Sequence, residues 1–186
     1  MIALVIGGSG SGKSAYAEQM AVKAAGKGSL YYVATMQVYD EEGKKKVERH
    51  QKMRAGKGFL TIEQPRRLKE AAEKVAAERG TVLLECMSNL VANEMFSEEN
   101  LSAVMDEAKI KQLSHEIISG VTALQDSCDI LIIVTNQIFE DGIRYDASTM
   151  DYIRLLGDIN RQIAERAEQV VEVVAGIPIF IKKDGI

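Results

Sequence analysis

The sequence predicts an α/β fold with a mostly parallel central sheet, and three observations carry that prediction. Continuous apolar runs rich in β-branched residues recur at Ile2–Ile6, Leu30–Thr35, Thr81–Cys86 and Asp129–Asn136, as strands covered on both faces require. Longer charged or amphipathic segments separate these runs, the spacing of strands joined by helical crossovers. The first run passes directly into Gly7-Gly8-Ser9-Gly10-Ser11-Gly12-Lys13-Ser14 and then into the helix-favouring Ala15-Tyr16-Ala17-Glu18-Gln19-Met20-Ala21.

The third observation also carries chemistry. Gly7 and Gly12 bracket the pattern G-x-x-x-x-G-K-[ST], a turn in which a Cβ would obstruct the backbone and whose N–H groups converge on one anion. The helix that follows adds its unsatisfied amino-terminal N–H groups and the positive end of its dipole. Lys13 is then expected to reach the β- and γ-phosphates and the Ser14 hydroxyl to serve as a Mg²⁺ ligand. The expected architecture is a phosphate-loop NTPase-like fold of three layers that binds a nucleoside triphosphate, GTP or ATP.

Composition bounds the rest. A chain of 186 residues, 46% apolar and 27% charged, is sized for one globular domain spanning 1–186. A formal net charge of −4 gives no general basic field, so small-molecule substrates are expected and nucleic acid is not. Lys44-Lys45-Lys46 reads as a solvated helix face. Cys86 and Cys128 lack the paired spacing of a metal or redox motif and read as buried thiols of a cytoplasmic protein. The sequence contains no basic leader pattern and no apolar stretch of membrane-spanning length, so neither export nor membrane insertion is expected.

In chain order, the first helix is expected to end near Ala25, before Gly26-Lys27-Gly28. After the Leu30–Thr35 strand, 40–54 is charged and helix-favouring, with Val47 and Met53 its only larger apolar groups, and is expected on the surface. His50 lies in this segment among Lys and Arg, where a solvated side chain is one reading. The other is a nucleophile or phosphate contact, because neighbouring cations depress an imidazole pKa and keep a ring nitrogen free to attack phosphorus. Phe59–Glu63 reads as a short strand, with Pro65 opening a helix over 66–79.

Glu85 closes the Thr81–Cys86 run, the place where nucleotide-binding α/β proteins hold Mg²⁺ directly or through water; a solvent-facing strand end is the alternative. Asn89 and Asn93 have helical i,i+4 spacing. A long amphipathic helix is expected over 101–124, with His115 on it structural or solvent-facing. Thr135, Asn136 and Gln137 follow the clearest central strand and are candidates to line the crevice. The charged stretch Phe139–Ser148 reads as a substrate loop, in which Arg144 is a candidate for neutralising transferred phosphate. A helix over 150–168 and an edge hairpin of Val170–Ala175 and Ile177–Lys182 complete the chain, with Pro178 suited to an edge.

Several islands together resemble the bifunctional adenosylcobinamide kinase / adenosylcobinamide-phosphate guanylyltransferases. They are Gly7 to Ser14 with Ala17-Glu18, Tyr32-Val33-Ala34-Thr35, Val47-Glu48-Arg49-His50 with Arg54, Glu63-Gln64-Pro65, Leu84 to Asn93, Val134-Thr135-Asn136, Gly157-Asp158-Ile159-Asn160 and Val174 to Pro178. The resemblance implies phosphorylation of adenosylcobinamide, then transfer of GMP from GTP to that phosphate. It further implies that His50 is guanylylated, that Thr35, Arg54, Glu63 and Glu85 join the phosphate loop in binding nucleotide, and that the protein is a cytoplasmic homo-oligomer, typically a trimer.

The sequence departs from the family pattern after Asn136, where Gln137 replaces the usual Glu and the usual Pro is absent, and at Arg154-Leu155, where the family carries Arg-Asp. The departures keep two alternatives open: a phosphotransferase without nucleotidyl transfer, and a nucleotide-binding regulatory protein without turnover.

Overall fold

The computed structural model describes residues 1–37, 41, 48, 52, 54–101, 105–138, 142–143 and 145–183. Strands β1 (Ile2–Gly7), β2 (Leu30–Ala34), β3 (Leu60–Glu63), β4 (Thr81–Glu85), β5 (Ile130–Asn136), β6 (Gln169–Val174) and β7 (Ile177–Lys183) form one seven-stranded sheet in the order β3-β2-β4-β5-β1-β6-β7. Every neighbouring pair is parallel except β6 with β7, the expected edge hairpin. The described helices are α1 (Lys13–Ala25), α2 (Leu68–Val75), α3 (Met87–Met95), α4 (Glu98–Leu101), α5 (Glu107–Ser127) and α6 (Ala147–Arg166).

The period-two alternation of strand side chains divides the apolar runs between two cores. Ile2, Leu4, Val33, Leu84 and Ile133 pack with residues of α2, α3, α5 and α6, whereas Ala3, Val5, Tyr32, Leu83 and Val134 pack with Ala17 and Ala21 of α1. Helices therefore lie on both faces, giving the expected three layers. β3 differs from the buried strands: it is an edge strand, and Leu60, Thr61 and Glu63 are exposed.

Helix boundaries differ from the expectation where capping chemistry outweighs periodicity. The long helix begins at Glu107 because Asp106 accepts from Lys109 N at 2.8 Å, and α6 begins at Ala147 because Asp146 accepts from Thr149 N at 3.0 Å. The helix expected over 66–79 is confined to Leu68–Val75, entered through Arg67 in a left-handed conformation at φ 54. Pro65 consequently lies in the loop ahead of that helix. The surface reading of 40–54 fails at Arg54, which is buried.

The strand order matters for function because it aligns carboxyl ends. Gly7 sits opposite Asn136, Val134 opposite Glu85, and Glu85 opposite Ala34. The glycine loop, the end of β4 and the end of β2 thus share one rim.

Candidate nucleotide and phosphoryl-transfer site

The glycine loop owes its shape to close approaches that side chains would prevent. A Cβ on Gly7 would collide with Ser11 Oγ and come within 2.8 Å of the Val173 carbonyl oxygen. Gly12 adopts φ 91, and a Cβ there would lie 3.3 Å from Gly176 Cα. The hairpin between β6 and β7 braces the loop from outside, with Gly176 N donating to Ser11 O at 2.8 Å. Lys13 starts α1 and is buried, its Nζ donating to Gly8 O at 3.0 Å. Burial pushes its ammonium below the usual lysine pKa, while the nearby Cys86 and Glu85 act in the opposite direction.

One residue further along α1, the Ser14 hydroxyl donates to Glu85 Oε1, and the Tyr32 hydroxyl donates to Glu85 Oε2 at 3.1 Å. Glu85 is 9% exposed, so the solvent-facing alternative for it is excluded. Burial, with Glu85 second, raises the Tyr32 pKa well above the ordinary phenol value and keeps it a donor. A hydroxyl and a carboxylate oxygen meeting beside a phosphate loop are hard donors that suit Mg²⁺, which takes one or two protein oxygens and completes its shell with phosphate and water. Among the described residues no group of three or more His, Cys, Asp or Glu forms a metal cluster.

Arg54 reaches the same corner from the far side of Tyr32. Its guanidinium carbon lies 3.5 Å from the ring centroid, and its buried Nη1 has no hydrogen-bond partner among the described residues. Thr35, expected among the nucleotide-binding residues, has its hydroxyl engaged within the fold. Its Oγ1 donates to Cys86 O at 2.8 Å and accepts from Cys86 N at 2.7 Å, locking the end of β2 to the end of β4. Burial raises the Cys86 pKa, keeping that group a thiol 3.0 Å from Ser88 Oγ.

The predicted residues divide by position. Gly7 to Ser14, Thr35, Arg54 and Glu85 gather on the rim; Glu63 ends the exposed edge strand beside Ala34; Gln137 leaves the rim with its N–H donated to Gly7 O at 3.0 Å. His50 and Arg144 lie outside the described residues. Sequence reasoning missed Tyr32, Ser88 and Tyr152 as site-building groups and assigned no work to Asn93. Ser88 Oγ accepts from Asn136 Nδ2 at 2.7 Å, and Ser88 O accepts from the Tyr152 hydroxyl at 3.1 Å. The Asn89 and Asn93 spacing was the available signal for a polar helix face turned to the rim. His115 is exposed beside a separate concavity of about 840 Å³ between α5 and α6.

Residues 3–181 match the family described as cobinamide kinase / cobinamide phosphate guanyltransferase. The chain belongs to that family. It is 29% identical over 185 residues to the bifunctional adenosylcobalamin biosynthesis protein CobU of Escherichia coli K12, covering 98% of this chain and 100% of that protein. The protein of the same name from Salmonella typhimurium LT2 is also 29% identical over 185 residues, with the same coverage. CobP of Pseudomonas aeruginosa PAO1, likewise named a bifunctional adenosylcobalamin biosynthesis protein, is 26% identical and covers 96% of each chain. Among solved structures, an ATPase domain superposes with a TM-score of 0.52 at 11% identity, covering 92% of this chain and 68% of that one, a likeness of fold. The cobinamide kinase / guanyltransferase family is one of transferase enzymes, and this member carries its phosphate loop and Glu85 on one rim of a phosphate-loop fold. No helix among the described residues is long and apolar enough to cross a membrane.

Proposed function

We propose that the protein phosphorylates the aminopropanol hydroxyl of adenosylcobinamide and then transfers GMP from GTP to the resulting phosphate, with His50 as the guanylyl carrier. The observation that supports this reading is the meeting of Ser14 and Glu85 beside the Gly7–Ser14 loop, hard oxygen donors of the kind that suit a triphosphate's cation. In the first reaction the loop N–H groups and Lys13 hold the β- and γ-phosphates. The substrate hydroxyl oxygen attacks the γ-phosphorus, the bond from that phosphorus to the β–γ bridging oxygen breaks so that the nucleoside diphosphate leaves with the bridging oxygen, and the hydroxyl proton passes to solvent.

In the second reaction a neutral imidazole nitrogen of His50 attacks the α-phosphorus of GTP. The α–β bridging P–O bond breaks and pyrophosphate leaves. The cobinamide phosphate oxygen then attacks the phosphoramidate phosphorus and returns the imidazole. Mg²⁺, held by Ser14 and Glu85, would neutralise phosphate charge. Arg54, Thr35 and Glu63 are assigned to nucleotide binding, with Arg54 supplying a buried cation and Thr35 acting through the backbone it fixes. Gln137 and Arg144 are assigned to the substrate loop. A cytoplasmic homotrimer is the assembly that accords with the resemblance.

The test is incubation with α-³²P-GTP and Mg²⁺. Acid-labile, base-stable label on the wild-type protein, absent from His50→Ala, is expected. An unlabelled wild type that binds GTP and phosphorylates cobinamide would establish the kinase-only alternative, to which the Gln137 departure points.

A further inference from the structure

Tyr32 joins two parts of the site that come from different elements. On β2 it stands opposite Leu83 of β4 in the sheet register, and both residues pack with Ala17 and Ala21 of α1. Glu85 lies two residues beyond Leu83 and so shares its face of the sheet. The long phenol therefore reaches past Leu83, and its hydroxyl donates to Glu85 Oε2 at 3.1 Å. The other carboxylate oxygen, Oε1, accepts from Ser14. Glu85 is thus held from two sides, by the first turn of α1 and by the middle of β2.

The ring of the same tyrosine has two further neighbours. Phe59 meets it edge to face, with centroids 6.0 Å apart and planes at 84°. The Arg54 guanidinium covers its face, the guanidinium carbon lying 3.5 Å from the centroid. Tyr32 is 4% exposed and Arg54 7%, so the stack is buried. Arg54 Nη1 nevertheless has no hydrogen-bond partner among the described residues. A buried guanidinium N–H without an acceptor is costly, and the acceptor that suits its fixed, permanently charged fork is an anionic oxygen.

Resting on the nucleotide reading above, we infer that Tyr32 is a positioning residue with two separable ends: its hydroxyl fixes the Glu85 carboxylate toward Ser14, where the cation would be held, and its ring holds Arg54 for a phosphate oxygen of the nucleotide. Tyr32 acts through Glu85 and Arg54. The hydroxyl end governs how well the cation is taken with the triphosphate. The ring end governs how well the triphosphate is taken without the cation. Phenylalanine removes the first and keeps the second, whereas leucine removes both.

Calorimetric titration with α,β-methylene-GTP, in Mg²⁺ and in EDTA, tests the assignment. This analogue cannot pass its GMP to a histidine, so binding is read apart from turnover. Tyr32→Phe is expected to bind it about tenfold more weakly in Mg²⁺, the scale of one hydrogen bond to a charged group, and with wild-type affinity in EDTA. Tyr32→Leu should show the same loss in Mg²⁺ and a further loss of about fivefold in EDTA, the scale of one cation–π contact. If thermal melting shows that the leucine variant does not fold, Tyr32→Met, which fills the space without a π face, takes its place. In an Arg54→Met background the EDTA loss should disappear, while the Mg²⁺ loss of Tyr32→Phe should persist.

An affinity of Tyr32→Phe within about twofold of wild type in Mg²⁺, or an equal loss in Mg²⁺ and EDTA, overturns the hydroxyl role. Wild-type affinity of the leucine or methionine variant in EDTA, or an EDTA loss that adds to that of Arg54→Met, overturns the ring role. Each of these outcomes leaves the functional reading intact. A folded wild type that does not bind the analogue in either condition overturns the functional reading and this assignment with it.

Discussion

The side-chain amide of Asn93 donates to the Thr35 carbonyl at 2.7 Å and to the Pro65 carbonyl at 3.0 Å. One helical side chain on α3 therefore fixes the segments that follow β2 and β3 together. Glu94 adds a second tie, accepting from Arg67 N at 2.6 Å, and Gln64 N donates to Ala34 O at 2.9 Å. Removing the amide strands two partly buried carbonyls, a cost of about 1–3 kcal/mol. Asn93→Ala should lower the thermal midpoint by roughly 3–8 °C and raise the nucleotide KM more than it lowers kcat. Asn93→Asp, which lacks the donor, should not rescue. A nucleotide KM unmoved in the alanine variant would refute the positioning role.

Lys57 and Glu18 form a second tie, between the turn after Arg54 and the helix that follows the phosphate loop. Lys57 Nζ lies 2.7 Å from Glu18 Oε2, and the Glu18 side chain is fully buried. Glu18 Oε1 has no hydrogen-bond partner among the described residues, so Lys57 bears most of the compensation for this carboxylate. Lys57→Ala leaves a buried charge and should cost about 2–3 kcal/mol, allowing for the partial exposure of the lysine. Adding Glu18→Gln should recover at least half of that loss in urea unfolding. Additive losses in the double variant would refute the coupling.

Legibility in the sequence followed the range of the interactions. The phosphate loop, the buried strands and the edge hairpin were readable because each is specified by residues adjacent in the chain: Gly7 to Ser14 by steric demand, Val82 to Leu84 by continuous apolarity, Pro178 by its missing donor. The place of Glu85 on the rim was readable because it closes an apolar strand run of the same parallel sheet as the loop. The contacts of Tyr32, Ser88 and Asn93 were not readable. Tyr32 reaches across 53 residues to Glu85 and Ser88 reaches across 48 to Asn136, pairings that exist only once the strand order is known. In sequence Tyr32 is simply a strand-forming aromatic, and the polar end that orients the carboxylate leaves no periodic trace. Arg54 reads as part of a solvent-facing helix for the same reason, since its partner is the face of the Tyr32 ring.

Glu85 and Ser14 should together set the metal requirement. Glu85→Gln keeps the side-chain shape while removing the charge, so the Mg²⁺ concentration giving half-maximal phosphorylation should rise at least about tenfold. Ser14→Ala should act in the same direction. Both variants should unfold within a few degrees of wild type, because the rim is held by Thr35 and Cys86 independently of either group. An unchanged Mg²⁺ titration in Glu85→Gln would remove this carboxylate from the metal site.

Cys128 gives the fold an alkaline limit. It is buried just ahead of β5, and burial pushes its thiol from the ordinary value of 9.0 up to about 11. The amino-terminal ammonium and Arg79 pull that value down, while Asp129 and Asp126 push it up. The sign follows from proton counting: between these two pKa values the unfolded chain loses the thiol proton and the folded chain keeps it, so stability falls as pH rises. The contribution is fully present below about pH 9 and lost progressively up to about pH 11. Tyr152, pushed by burial up to about 12, adds a further decline at higher pH. Urea midpoints measured across this range should fall less steeply in Cys128→Ala than in wild type, with the two slopes equal between about pH 6 and about pH 8. Equal slopes above about pH 9 would show that Cys128 titrates at its ordinary value in the folded protein.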